Sequence, residues 1–355
     1  MWFVPLLLFA MISSAVPAHA QTELRDEFEA DQLDLTSWCA CQINLDKAPI
    51  RFTGDPDEPG DGIVRITADM NSLGGNKCRK EANECGRPAT KPDYVEPLGP
   101  SLVEGALSTA PLAVMGSSTY CTKKIKELAE AAGEEGDCIQ RQELRLQKRY
   151  QHPTDQPHYY SLRFRMPGVI EDRVSSTRWI TAQWKHEPVS DAYDALGEDW
   201  GPSPFLAQRF DDGVLHVTVQ DEHCRCKIAS APLPDGKVEE WLDGTPTYCL
   251  STGPGEERTC TPDLVAEYGP NPVLDSPIGN WVEMKYRVHS GRSSPVTIEV
   301  WQGDRLIVRV TGKIGYEPQA GEKSRTKFKI GHYRDYMPFV HVMEIDRISV
   351  GPAKP

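Results

Sequence analysis

The sequence predicts an all-β protein: a sandwich of jelly-roll type, with disulfide-stapled insertions and one short helix. Three observations predict it. Runs in which apolar and polar residues alternate recur along the chain, as in strands with one face in a core and the other turned away. Turn signals separate these runs, among them Asp212-Gly213 and Gly303-Asp304, which suit tight hairpins. Only "CTKKIKELAEAAG" (121–133) carries a helical pattern, and it stops on a glycine.

Taken in order, the chain opens "MWFVPLLLFAMISSAVPAHA", an apolar run closing on Ala18-His19-Ala20. This reads as a signal peptide over 1–20, cleaved before Gln21. It is short for a membrane span, and no later segment approaches that length, so no membrane association is expected. The expected location is secreted or periplasmic, with 21–355 forming a single jelly-roll domain. Strands are expected at 62–68, 142–149, 159–167, 178–185, 204–210, 214–220, 281–289, 296–302, 305–312, 326–333 and 341–351. Two irregular stretches, about 71–138 and 222–278, each hold four cysteines and read as insertions on this scaffold.

Ten cysteines, an even number, fit disulfides in an oxidising compartment. Loop length favours Cys78–Cys85, Cys121–Cys138 and Cys249–Cys260. The pairs Cys39/Cys41 and Cys224/Cys226 are then left to cross-link with each other, or less favourably to hold zinc. The formal net charge of −13 argues against a nucleic-acid partner. Cations nevertheless concentrate in "RQELRLQKR" (141–149) and "KSRTKFKIGHYR" (323–334), and a local field matters more to a bound ligand than the total.

Three of the expected strands carry polar rows. Arg141, Glu143 and Arg145 share one side of "RQELRL"; Thr181, Gln183 and Lys185 share one side of "ITAQWK"; Lys329, Gly331 and Tyr333 share one side of "FKIGHYR". Taken singly, each row suits a solvated outer face. Together and in this order, "RQELR", "QWKH" and "FKIGHYRD" resemble the three motifs of jelly-roll polysaccharide lyases, of the alginate-lyase-like and heparin-lyase-I-like branches. The resemblance runs from about 141 to 351, and "LRDEFEADQLDLTSW" and "VMEIDRISVG" are similar to the first and last strands of such concanavalin-like sandwiches. The two insertions have no counterpart in it.

The resemblance implies β-elimination on an anionic, uronic-acid-containing polysaccharide. The proton on carbon 5 is barely acidic while the neighbouring carboxylate stays charged. The enzyme must therefore neutralise that carboxylate, supply a base and protonate the leaving oxygen. Arg141 and Gln183 match the family's carboxylate donors, with Arg145 and Lys329 as further cations. An arginine's planar fork suits a carboxylate. Glu143 would orient the arginines. Tyr333 matches the tyrosine that protonates the leaving oxygen and in some members also takes the first proton.

The family's histidine, two residues after the glutamine, is replaced here by Lys185, and His186 falls on the opposite face unless a β-bulge at 184–185 turns it back. Lys185 is a base if burial and neighbouring cations lower its pKa. Otherwise it is a plain cation beside the carboxylate, with Tyr333 moving both protons; this version is slightly preferred. Two rivals stand beside the lyase. A non-catalytic carbohydrate-binding sandwich would have lost its base. A retaining hydrolase needs two flanking carboxylates, and its nearest match, "EIDRIS", ends in Ser349 where the second acid belongs. No cofactor is expected. "DPDEPGDG" offers Asp55, Asp57 and Asp61 to calcium, but a solvated turn suits it better.

Overall fold

The computed structural model describes residues 23–29, 37–42, 50–69, 138–168, 178–188, 203–251, 260–316 and 324–352, except Asp155, Asp212 and Pro234. It also describes Asp34, Ser72, Cys121, Lys123, Lys126 and Glu127. The expected signal peptide, Cys78, Cys85 and most of the first insertion lie outside them. So does most of the expected helix, of which Lys123, Lys126 and Glu127 are helical.

Among the described residues the strands are β1 (Leu24–Asp26), β2 (Trp38–Gln42), β3 (Ile50–Gly54), β4 (Gly62–Ala68), β5 (Ile139–Leu146), β6 (His158–Arg165), β7 (Trp179–Pro188) and β8 (Leu206–Asp211). They continue as β9 (Val214–Gln220), β10 (Cys224–Ser230), β11 (Cys249–Ser251), β12 (Leu264–Tyr268), β13 (Val282–Val288), β14 (Gly291–Gln302), β15 (Arg305–Ile314), β16 (Ser324–Asp335) and β17 (His341–Gly351). All pair antiparallel, in two sheets. One runs β12-β15-β14-β13-β6-β17-β4-β3, with β1 also on β17; the other runs β11-β10-β9-β8-β7-β16-β5-β2. The protein is thus a jelly-roll sandwich.

The alternating patterns dictate how the sheets stack. Leu144, Leu146, Ala182, Trp184, Phe328 and Ile330 point from the second sheet into the core, against Tyr160, Leu162, Tyr286 and Ile345 of the first. Trp184 centres an aromatic cluster, with ring centroids 4.6 Å from Tyr286, 5.0 Å from Phe328 and 5.5 Å from Tyr160. Tyr286 donates its hydroxyl proton to Gln208 Oε1 at 2.8 Å, whereas the buried Trp184 Nε1–H has no hydrogen-bond partner among the described residues. Both expected hairpins form, closing Asp211 on Val214 and Gln302 on Arg305, with Gly213 and Gly303 at positive φ.

Two expectations are corrected. The stretch 222–278 is not irregular, because β10 and β11 extend one sheet and β12 edges the other. Cysteine pairing also differs. Cys121–Cys138 forms as expected, but Cys226 joins Cys249 and Cys224 joins Cys260. The antiparallel pairing of β10 with β11 sets Cys226 directly opposite Cys249, so register overrides loop length. Cys39 and Cys41 are oxidised as well, with partners outside the described residues. None of these four sulfurs is a free thiolate for zinc.

Candidate active site

Strands β5, β16 and β7 lie side by side, and their register assembles the three polar rows on the face turned away from the core. Arg145, Lys329 and Gln183 stand in one cross-strand row; Glu143 faces Gly331; Arg141 faces Tyr333. Gly331 has φ +131°, and a Cβ there would come within 2.3 Å of the Gln142 carbonyl oxygen. Only glycine lets β16 approach β5 this closely.

Glu143 is the hub. It is 1% exposed, and a buried carboxylate needs several partners to remain charged. Gln183 donates its amide N–H to Glu143 Oε1, Lys329 Nζ donates to Oε2 at 3.3 Å, and Arg141 Nε lies 3.3 Å from the same oxygen. One carboxylate thereby aligns an amide, an ammonium and a guanidinium, as expected of an orienting group.

The phenol of Tyr333 lies between two guanidiniums. Arg141 stands 4.4 Å from the ring centroid, and Arg178 Nη1 donates to the phenolic oxygen at 3.1 Å. Arg178 is tied to Asp335 by an ion pair of 3.2 Å and by its backbone N–H at 2.8 Å. Sequence reasoning missed this pair. The signals were a cation just before the Gln183 strand and an acid two places after Tyr333, which only the register of β7 on β16 brings together.

Lys185 is half-buried and makes no hydrogen bond or ion pair among the described residues. Burial first, then Lys327 and Arg141, push its pKa down to about 8. Lys329 is pushed down to about 7 by burial, against the pull of Glu143. Lys327 is paired at 2.6 Å with Glu187, whose carboxyl is held below its usual range despite burial by Lys327, Arg145 and Arg325. Arg145 reaches Cys39 Sγ at 3.8 Å, and its pKa is lowered by burial.

His186 is not brought to this cluster. Pairing of β7 with β16 is unbroken from Pro188–Ser324 to Ala182–Ile330, so no bulge turns the ring back. It lies instead between Phe205, at 4.6 Å, and Gly315, with Nε2 hydrogen-bonded to Ser290 Oγ at 3.0 Å. Burial pushes its pKa down to about 4 and keeps it neutral. The register does shift further along, between Ile330 and Tyr333 on β16 and between Ile180 and Ala182 on β7. Thr181 therefore bonds to Gln208 on the core side and leaves the face it was expected to share with Gln183 and Lys185, while Ile180 pairs with Tyr333.

The remaining candidates are committed elsewhere. Asp55 and Asp57 both pair with Arg165, and residues 56–60 of "DPDEPGDG" are exposed. Glu344 and Asp346 of "EIDRIS" pair with Arg165 and Arg163 on the other sheet. In "GHYRD", His332 and Arg334 are buried and structural: His332 accepts from Trp179 Nε1 at 3.2 Å, and Arg334 donates to Gln140 Oε1 at 2.7 Å.

Fold and cluster together define a β-sandwich that holds cations and an amide in one fixed cluster on the sheet face turned away from the core. A family model described as "Polysaccharide lyase" matches residues 116–349, and the chain belongs to that family. The protein is a polysaccharide lyase. Among solved structures, an alginate lyase of polysaccharide lyase family 7, AlgAT5, is 15% identical, with 91% of this chain and 97% of that one covered and a TM-score of 0.40. The endo-β-1,4-glucuronan lyase of the fungus Trichoderma reesei is 9% identical, with 86% and 90% covered and a TM-score of 0.39. A cellulose-induced protein, Cip1, is 12% identical, with 94% and 98% covered and a TM-score of 0.40. No curated protein matches the sequence.

Proposed function

We propose that this lyase is exported and cleaves a uronate-containing polysaccharide by β-elimination, with Lys185 as base and Tyr333 as acid. The observation that carries the reading is the Glu143 hub, which aims Arg141, Gln183 and Lys329 together from the face that also carries Tyr333. These donors neutralise the uronate carboxylate and stabilise the enolate-like charge as it grows. The neutral amine of Lys185 takes the carbon 5 proton. The carbon 4–oxygen bond then breaks as the carbon 4–carbon 5 double bond forms, and the Tyr333 hydroxyl gives its proton to the departing oxygen. Lysine becomes ammonium and tyrosine phenolate, and a proton passing between them through solvent resets the site. Lys185 fits the base role because its lowered pKa leaves a useful amine fraction near neutrality. His186 faces the wrong way for it. The disulfides support export.

The test is absorbance of the new conjugated double bond on a panel of uronate polysaccharides, run for wild type, Lys185→Arg and Lys185→Ala. Wild type should produce the chromophore on at least one polymer, and both variants should lose roughly 100-fold or more in kcat. Arginine keeps the charge but cannot give up its proton. A Lys185→Arg enzyme with wild-type turnover would make Lys185 a plain cation and leave both transfers to Tyr333. Binding without chromophore on every polymer would sink the elimination reading.

A further inference from the structure

Arg178 stands outside the three motifs, yet it is bonded to the proposed acid. Its Nη1–H donates to the Tyr333 oxygen at 3.1 Å, while Nη2 and the backbone N–H are held by the two oxygens of Asp335. The Asp335 N–H in turn donates to the Arg178 carbonyl at 2.7 Å, so the two residues are clamped through both backbone and side chain. Arg141, the other guanidinium at Tyr333, lies over the ring face and is joined to Glu143. The phenolic oxygen thus receives a hydrogen bond from Arg178, whose guanidinium carbon lies 5.7 Å from the ring centroid.

We propose that Arg178, fixed by Asp335, is a positioning residue that aims the Tyr333 proton and holds the phenolate left when it departs. This rests on the reading of Tyr333 as acid. Because Arg178 donates to the phenolic oxygen, the hydroxyl proton is directed away from Arg178, where a leaving oxygen can accept it. When the proton leaves, the charge appears beside a guanidinium already in place. A charge-assisted hydrogen bond of this kind strengthens as the oxygen becomes anionic, and no donor has to reorient at the moment of reaction. The carboxylate is bound by other groups, so Arg178 acts on kcat and leaves KM alone.

The experiment compares Arg178→Ala, Arg178→Lys, Asp335→Asn and Tyr333→Phe on whichever polymer wild type cleaves. Arg178→Ala is expected to lower kcat roughly 100-fold with KM unchanged. Arg178→Lys should recover part of the loss, and Asp335→Asn should lose less than Arg178→Ala. Millimolar guanidinium added to Arg178→Ala should restore turnover, an effect that a merely structural arginine would not show. The Arg178 side chain is 36% exposed, so its removal leaves the core intact. Wild-type kcat in Arg178→Ala, a loss appearing mainly in KM, or no rescue by guanidinium would each overturn the proposal. If Tyr333→Phe itself keeps wild-type turnover, the reading of the site fails instead, and the two failures are told apart.

Discussion

At Lys185 burial, with Lys327 and Arg141, outweighs the pull of Glu143 and Glu187 on the ammonium, and two outcomes follow. Between pH 8 and its unfolded value of 10.5 the folded chain binds fewer protons here than the unfolded chain, so stability rises with pH across that window. Below pH 8 the full cost of the buried charge is present. Replacing Lys185 with methionine should therefore stabilise the protein by about 1–3 kcal/mol near pH 7, with the gain vanishing toward pH 10.5. Thermal melts of both proteins at pH 7 and 10 check this. Activity moves oppositely: kcat/KM of the wild type should climb through about pH 8 as the amine is released. Tyr333→Phe keeps the ring under Arg141 but removes the hydroxyl, so turnover should fall at least about 1,000-fold while the melt stays put.

At the scale of the element, β16 carries both the site and a large part of the core, and Gly331 lets it do both. Gly331→Ala would set a methyl 2.3 Å from the Gln142 oxygen and force an L-residue to φ +131°. The variant should lose about 3 kcal/mol or more and, by pushing β5 from β16, also lower turnover. Denaturant melts alongside the chromophore assay would show both losses together. Strand β11 rests on a different support: it is three residues long and borders only β10. The Cys226–Cys249 bridge closes a separation of 23 residues, so a double serine variant should lose about 3 kcal/mol. An equilibrium unfolding curve equal to wild type would show that β11 pairs without its bridge.

For the whole molecule, the sandwich buries histidines that the site does not use. His158 is held down to about 4, and His216 and His332 to about 3, by burial above all, with Arg209 beside His216 and Arg334 beside His332 adding to it. Each lies below the unfolded value of 6.5, so the unfolded chain takes up protons first as pH falls. Stability that is complete above pH 6.5 should drain away between about pH 6.5 and 3. Melting temperatures measured across that range should fall steeply, and a flat profile from pH 7 to 4 would mean that these rings are not buried in solution. His152 and His158, stacked at 4.1 Å, add mutual repulsion once charged, so β6 should loosen early.

Alternation along the chain was enough to place most of the strands, both hairpins and the polar rows of β5, β7 and β16, because which side of a strand a residue occupies is a local property. The orienting role expected of Glu143 came from the family resemblance, and the packed sheets add Gln183 and Lys329 to its neighbours. Three things were decided by the tertiary structure. Register on β16 set Ile180 rather than Thr181 opposite Tyr333, and packing supplied Ser290 as the partner of His186. Pairing of β10 with β11 chose the partner of Cys226 where loop length pointed elsewhere. The meeting of Arg178 with Tyr333, 155 residues apart, has no trace in local spacing. A side chain's face follows from its own strand, whereas its neighbours follow from which strand lies alongside and in what register, and only the packed sheets fix that.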